Sequence, residues 1–383
     1  MNKLFPTQEI GSLAKPSWRV KGFRGERLSK KEINEAIKWG ERLKIENLDA
    51  FIKLLNENDS STRRRAVLEW SAIFALRLFE TVGLDIVFDG EQWRSEMYEH
   101  VIKNVAGFKF LGCVKSFDYR YFNKAACVAK PRHVKPFYLD EFNFVKEKTK
   151  REIKIPFTGP YTLVDWSFNE YYEKKLSNEI ISLKLRKFEA KREFLFDLIK
   201  EVIRPEISKL VNSGAKWIQI DEPAATTNQT DEEMDLFVEA FNETVKGFNC
   251  TFSLHNCYSN YQILARHICK LRNCSQIALE FANRDSWQLG IGDARKGYKD
   301  IKSFEEFGFR GNYGLGVIDV LSDFIEPPEL VRDRILYASK LIGDPSRIFV
   351  STDCGLRTRT WSVSFKKLEN MVLGAELAKK SLE

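Results

Sequence analysis

"CTFSLHNC", residues 250–257, is a short run of apolar and β-favouring residues that closes on a histidine and a cysteine two positions apart. In an extended strand residues i and i+2 point to the same side, so His255 and Cys257 face one object together. That object is a metal ion or the hydrophobic core, depending on what the fold brings to the end of the strand. Runs of the same kind recur along the chain: "FPTQEIGS" (5–12), "GLDIVFDGE" (83–91), "EIKIPFTGP" (152–160) and "AKWIQIDEP" (215–223) precede it. "SQIALEFA" (275–282), "NYGLGVID" (312–319) and "RIFVSTDCG" (347–355) follow, which makes eight short strands.

The stretches between them carry helical signals. Ser29 with Glu32, and Thr230 with Glu233, have the spacing of a capping box. "AVLEWSAIFALRLFETVG" has apolar residues at helical spacing and stops at Gly83. A periodic stretch from about Ser177 to Val202 ends before Pro205, which suits the opening of a further helix. "PPELVRDRILYASKLIG" supplies a helix ahead of the eighth strand. Eight strands with helical crossovers predict an α/β fold of the parallel (β/α)8, or TIM, barrel type. Two additions lengthen it: a helical excursion over 13–82, and a second over 105–151 that holds strand-like "FKFLGCVKSFDYRYF" and the charged tail "VKEKTKREIK". No internal repeat or low-complexity linker divides the chain, so residues 1–383 are expected to form one elaborated barrel domain.

Composition bounds the function. Apolar residues make up 43% of the 383, enough for a large core, and 29 Phe make it bulky. Charged residues reach 30% with both signs mixed, so the net charge of +7 is a modest excess that fits a soluble Lys/Glu surface. No basic run with interleaved aromatics marks a nucleic-acid groove. No apolar run approaches the roughly 18 residues of a membrane span, and the start lacks the apolar core of a signal peptide. Seven widely scattered cysteines, an odd number, argue against a disulfide framework and for a reducing cytoplasm.

In such barrels functional residues cluster at the C-terminal ends of the strands. His255 and Cys257 end the fifth strand, Glu280 the sixth and Cys354 the eighth. One imidazole, two thiolates and one carboxylate form a set that suits Zn2+, which accepts N, S and O donors. Taken alone, His-x-Cys is weak, since both residues pack readily in cores; the set of four at strand ends carries the argument. Cys113, Cys127, Cys250, Cys269 and Cys274 are expected to be packing or incidental residues, and His100, His133 and His267 surface or packing histidines.

The chain resembles the catalytic half of the cobalamin-independent methionine synthase family almost end to end. The resemblance runs from "PTQEIGS" through "GPYTLVDWSF", "IQIDEPA", "LHNCYSNY" and "GLGVIDV" to "STDCGLRTR". It implies a (β/α)8 barrel, a homocysteine substrate, and His255, Cys257, Glu280 and Cys354 as zinc ligands. It further implies that Glu91 and Asp221 hold the substrate's ammonium while the turn Ile10, Gly11, Ser12 holds its carboxylate through backbone donors. The alternative for the two acids is a salt bridge to Arg94 or Arg120. Asp319 and Ser322 are expected to shape the same mouth, Trp166 to pack on a folate donor's ring or simply in the core, and Asp353 to orient a ligand. The family's second, N-terminal barrel has no room here, so the chain is expected to be a short, core-only form.

One departure bears on the methyl donor. The family's seventh-strand motif G-V-x-D-x-H-S carries a histidine that protonates the folate nitrogen, whereas here "GVIDVLS" places Leu321 there. "ATTNQ" also follows "IDEPA" where the family has Arg-Glu-Gly. Both losses fall on the folate side. The expectation is a zinc-dependent methyltransferase whose donor is not folate, such as a methylated corrinoid, free or on a carrier protein. Rival expectations are an alkyltransferase for another thiol such as coenzyme M, folate-dependent synthesis, structural zinc in a binding module, and a barrel of the porphyrinogen-decarboxylase kind.

Overall fold

The apolar runs form parallel strands covered on both faces, which is why they are short and continuous rather than alternating. The computed structural model describes residues 3–57, 60–115, 121–178, 182–292 and 295–383. In chain order its strands are β1 (Ile86–Val87), β2 (Val105–Lys115), β3 (Tyr121–His133), β4 (Glu152–Ile153), β5 (Ile155–Thr158) and β6 (Phe168–Asn169). These are followed by β7 (Trp217–Asp221), β8 (Thr251–Asn256), β9 (Gln276–Leu279), β10 (Asn312–Ile318) and β11 (Ile348–Thr352). Six of them make one parallel sheet in the order β11-β10-β9-β8-β7-β5, and β1 pairs with β4 in a second parallel sheet.

The first expected strand, 5–12, is reduced to isolated parallel bridges, Thr7 to Val350 and Gln8 to Ile86. Pro6 has no N–H to donate and Phe5 sits at φ 56°, so a longer ladder cannot form there. The fold is therefore α/β with parallel sheets, and bridges rather than a continuous ladder link the two sheets beside residues 7–8.

Helices Ser17–Arg24, Lys30–Arg42, Leu48–Asn56 and the helix over 60–82 fill the first excursion. They bury a knot of rings in which Trp18 meets Phe51 and Phe74 edge-on at 4.9 and 5.4 Å. The Ser29/Glu32 capping box forms. Thr230 caps its helix by accepting from the Glu233 amide, but the Glu233 carboxylate turns to Tyr161 and Lys191 instead of closing a box. The expected stop before Pro205 does not occur. The helix continues as a π segment, Ile199–Ile203, into Arg204–Asn212, and the wider turn accommodates a proline that has no amide proton.

In the second excursion β2 and β3 form an antiparallel hairpin, with β6 alongside β3; residues 116–120 of the strand-like run lie outside the described residues. The charged tail is not a tail: its first half belongs to helix Leu139–Lys148 and its second half enters β4. No described helix is long and apolar enough to cross a membrane.

Register aligns the chemistry. Asp221 pairs with His255, and His255 with Ala278, so adjacent strands deliver their last residues to one edge. Gly316 of β10 lies under that edge: a Cβ there would overlap Asp353 Oδ1 and lie 2.7 Å from the Leu279 carbonyl oxygen. Gly316→Ala is expected to destabilise the protein by about 1–3 kcal/mol through overpacking. Urea denaturation checks this, and a wild-type midpoint would contradict it.

Candidate functional site

His255 is fixed by its own strand. Its Nδ1 lies 3.0 Å from the Ala278 carbonyl oxygen. A carbonyl only accepts, so Nδ1 carries the proton and Nε2 keeps a lone pair. That Nε2 is buried and has no hydrogen-bond partner. Cys257 follows β8 and Cys354 follows β11, and their sulfurs lie 3.7 Å apart. The ligand atoms of His255, Cys257 and Cys354 all fall within 4.8 Å of one another.

The protonation states fit this crowding. The Cys257 S–H beside Cys354 holds the Cys354 thiol well below the usual thiol range; burial opposes this and His255 reinforces it. Cys257 is pushed well up, first by Cys354 and then by burial. Burial works against protonation of His255, but Cys354 and Asp221 outweigh it, so its pKa is raised. An imidazole nitrogen and two sulfurs, one already disposed to be anionic, fit a zinc ion by donor chemistry. A bound cation would also give the buried Nε2 the partner it lacks.

Glu280, just past β9, is buried, but its carboxylate lies outside this cluster of three. It accepts from Arg284 Nη2 at 2.7 Å, although its charge still reaches Cys257. Asp353 accepts from the amides of Phe281, Ala282 and Asn283 at 2.9, 2.9 and 2.7 Å. It therefore clamps the turn after Glu280 to the residue before Cys354. Burial pushes its carboxyl up to about 8 despite those donors.

One cavity takes in the cluster together with Ile10, Gly11, Ser12, Glu91 and Asp221. A Cβ on Gly11 would lie 3.0 Å from Glu91 Oε1, and Gln219 Nε2 bonds both the Ile10 carbonyl (2.6 Å) and Asp221 Oδ1 (2.8 Å). The turn and both acids therefore face the same space. Burial pushes Asp221 up to about 7, against the nearby His255. Arg94 Nη1 is 3.7 Å from Glu91, but its Nε bonds Glu141 at 3.0 Å and its Nη2 contacts the same carboxylate. Arg94 therefore has a buried counter-ion of its own; Arg120 lies outside the described residues.

Trp166 and Leu321 line the cavity mouth, with Trp166 packed on Phe122 at 5.3 Å. Asp319 and Ser322 do not line it. They build the turn that presents Leu321: Asp319 Oδ1 accepts from the Leu321 amide at 2.8 Å, and Ser322 Oγ from the Phe324 amide at 3.0 Å. Cys113 and Cys269 are exposed and Cys127 is buried. His133 pairs with Glu206, and His267 with Asp231 and Asp235. His100 is buried against Tyr138.

Three further residues line or support the site. Glu222 accepts from Tyr161 N, Thr162 N and Thr162 Oγ1 at 3.0, 2.7 and 2.6 Å, tying the end of β7 to the helix after β5. Its place next to Asp221 in "IDEP" was the available signal. Glu96 and Arg357 both line the cavity; Arg357 stands in the "STDCGLRTR" run just after Cys354, which was its signal, whereas nothing in the neighbourhood of Glu96 separates it from ordinary surface charges.

A parallel α/β fold with a His/Cys/Cys cluster and acids at its strand ends agrees with the family match. The family described as cobalamin-independent synthase, catalytic domain, matches residues 45–377, and the chain belongs to that family. It is 38% identical over 377 residues to the methionine synthase of Thermoplasma volcanium, and 37% identical over 375 residues to that of Thermoplasma acidophilum, with 96% of each chain covered in both cases. In fold it is similar to a B12-independent methionine synthase from Shewanella sp. W3-18-1 solved in complex with selenomethionine, with a TM-score of 0.74, 22% identity and 99% of each chain covered.

The cysteine environment gives a direct test. In metal-free protein Cys354, with its depressed pKa, should be alkylated by iodoacetamide near pH 6–7, where Cys127 and Cys274, both pushed up to about 12 by burial, stay unmodified. Mass spectrometry reads the site. A Cys354 rate that follows an ordinary thiol pKa of about 8.5 would contradict the assignment.

Proposed function

We propose that this chain is a zinc-dependent methyltransferase that makes methionine from homocysteine, with a methyl donor whose leaving group needs no proton. The observation that carries the reading is the convergence of His255 Nε2 and the sulfurs of Cys257 and Cys354, with Nε2 buried and unpartnered. The methionine synthases among its relatives support the acceptor. The same reading takes the two sheets, with the bridges at Thr7 and Gln8, as one (β/α)8 barrel domain.

His255, Cys257 and Cys354 would hold the ion, and Glu280, which here bonds Arg284, would supply a fourth donor on turning toward the cluster. When bound, zinc removes the acceptor's thiol proton at neutral pH. Glu91 and Asp221 receive the ammonium, which offsets the cost of burying their charge. The turn at Ile10–Ser12 receives the carboxylate. Trp166 and Leu321 give the donor an apolar wall. Leucine cannot protonate a departing amine, so a folate donor leaves poorly, whereas a methylated corrinoid, free or carried by a protein, leaves as a stable Co(I) species.

Zinc-loaded protein with homocysteine should turn over with methylcobalamin. Turnover with methyltetrahydrofolate should be lower by about 100-fold or more, the usual contribution of a general acid. Equal rates would contradict the donor assignment. Cys257→Ser and Cys354→Ser should each lose most of the bound zinc and the activity; a zinc-free variant with full activity would end the metal assignment.

A further inference from the structure

Arg357 lines the same cavity as the cluster, beside three carboxylates, Glu91, Glu96 and Asp221. Among the described residues its guanidinium makes no hydrogen bond and no ion pair. Its neighbour Arg359, by contrast, is anchored on Asp323 at 2.6 Å. The Arg357 segment is fastened against the Ile10–Ser12 turn: Leu13 bridges Leu356, and a Cβ on Gly355 would lie 2.6 Å from Ser12 Oγ and 2.8 Å from the Ser12 amide nitrogen. Lys15, just after that turn in the chain, likewise has no hydrogen bond or ion pair among the described residues, and it shares the field of Arg357 and Glu91.

Arg357, unbonded among the described residues and acting on Glu96 across the acidic cavity, with Lys15 close enough to feel both it and Glu91, has an electrostatic use. The carboxylates attract an ammonium but repel any anionic group that enters with it. A guanidinium presents a planar fork of donors matched to a carboxylate or phosphate. We propose that Arg357, supported by Lys15, is a specificity-determining residue that binds an oxyanion of the ligands entering this cavity. The role rests on the methyl-transfer reading above. The anion is the acceptor's carboxylate or an acidic group of the donor, and the place of Arg357 beside the Ile10–Ser12 turn favours the acceptor.

Calorimetry on zinc-loaded wild type, Arg357→Ala and Arg357→Lys separates these sources without turnover. The ligands are homocysteine, its decarboxylated analogue 3-mercaptopropan-1-amine, and methylcobalamin. Arg357→Ala should weaken homocysteine at least tenfold, leave the analogue within twofold and keep the wild-type melting temperature, with Arg357→Lys intermediate. Unchanged homocysteine binding with tenfold weaker binding of methylcobalamin in the same calorimetry would assign the anion to the donor. No change in either would overturn the inference while leaving the transfer reading intact. A wild type that binds neither thiol would sink the transfer reading and the role of Arg357 with it.

Discussion

The site turns on a single hydrogen bond. Because the Ala278 carbonyl takes the Nδ1 proton of His255, the ring presents a bare lone pair at Nε2 in a buried space shared with two sulfurs. A buried polar atom without a partner costs on the order of 1–3 kcal/mol, and a fold does not keep one without a return. The bond in turn depends on register, since His255 faces Ala278 only while β8 and β9 stay aligned. A one-residue slip would move the ring to the other side of the sheet.

Around that centre, charge is sorted by depth. Asp353 spends its carboxylate on three amides and holds two strand ends together. Arg94 spends its charge on Glu141, which leaves Glu91 facing Gly11 and the cavity. Asp221, pushed up to about 7 by burial against the nearby His255, accepts a hydrogen bond from the Gln219 amide. These acids are left incompletely compensated by the protein itself, and in the proposed reaction the substrate's ammonium completes them. The proposed fourth ligand is held elsewhere: Arg284 bonds Glu280 outside the cluster.

Much of this was legible in the sequence, for identifiable reasons. All eight apolar runs mark sites of parallel pairing because strands buried on both faces need continuous apolar residues, and the chemistry followed from reading their last positions. What sequence could not give is pairing between distant segments. The hydrogen bond from Ala278 to His255, the counter-ion of Arg94 and the orientation of Glu280 all depend on neighbours brought in by the fold. Pro205 misled because a proline usually starts or ends a helix, and a π turn is a local solution that periodicity does not reveal. Asp319 and Ser322 sit in the right loop but spend their side chains on backbone amides, a choice that residue type alone leaves open.

The most direct test of the central claim is zinc-edge X-ray absorption on the purified protein. The account predicts about one zinc per chain with two sulfur neighbours near 2.3 Å and at least one imidazole nitrogen near 2.0 Å. A zinc surrounded only by oxygen and nitrogen, or protein that excludes the metal while folded, would contradict it.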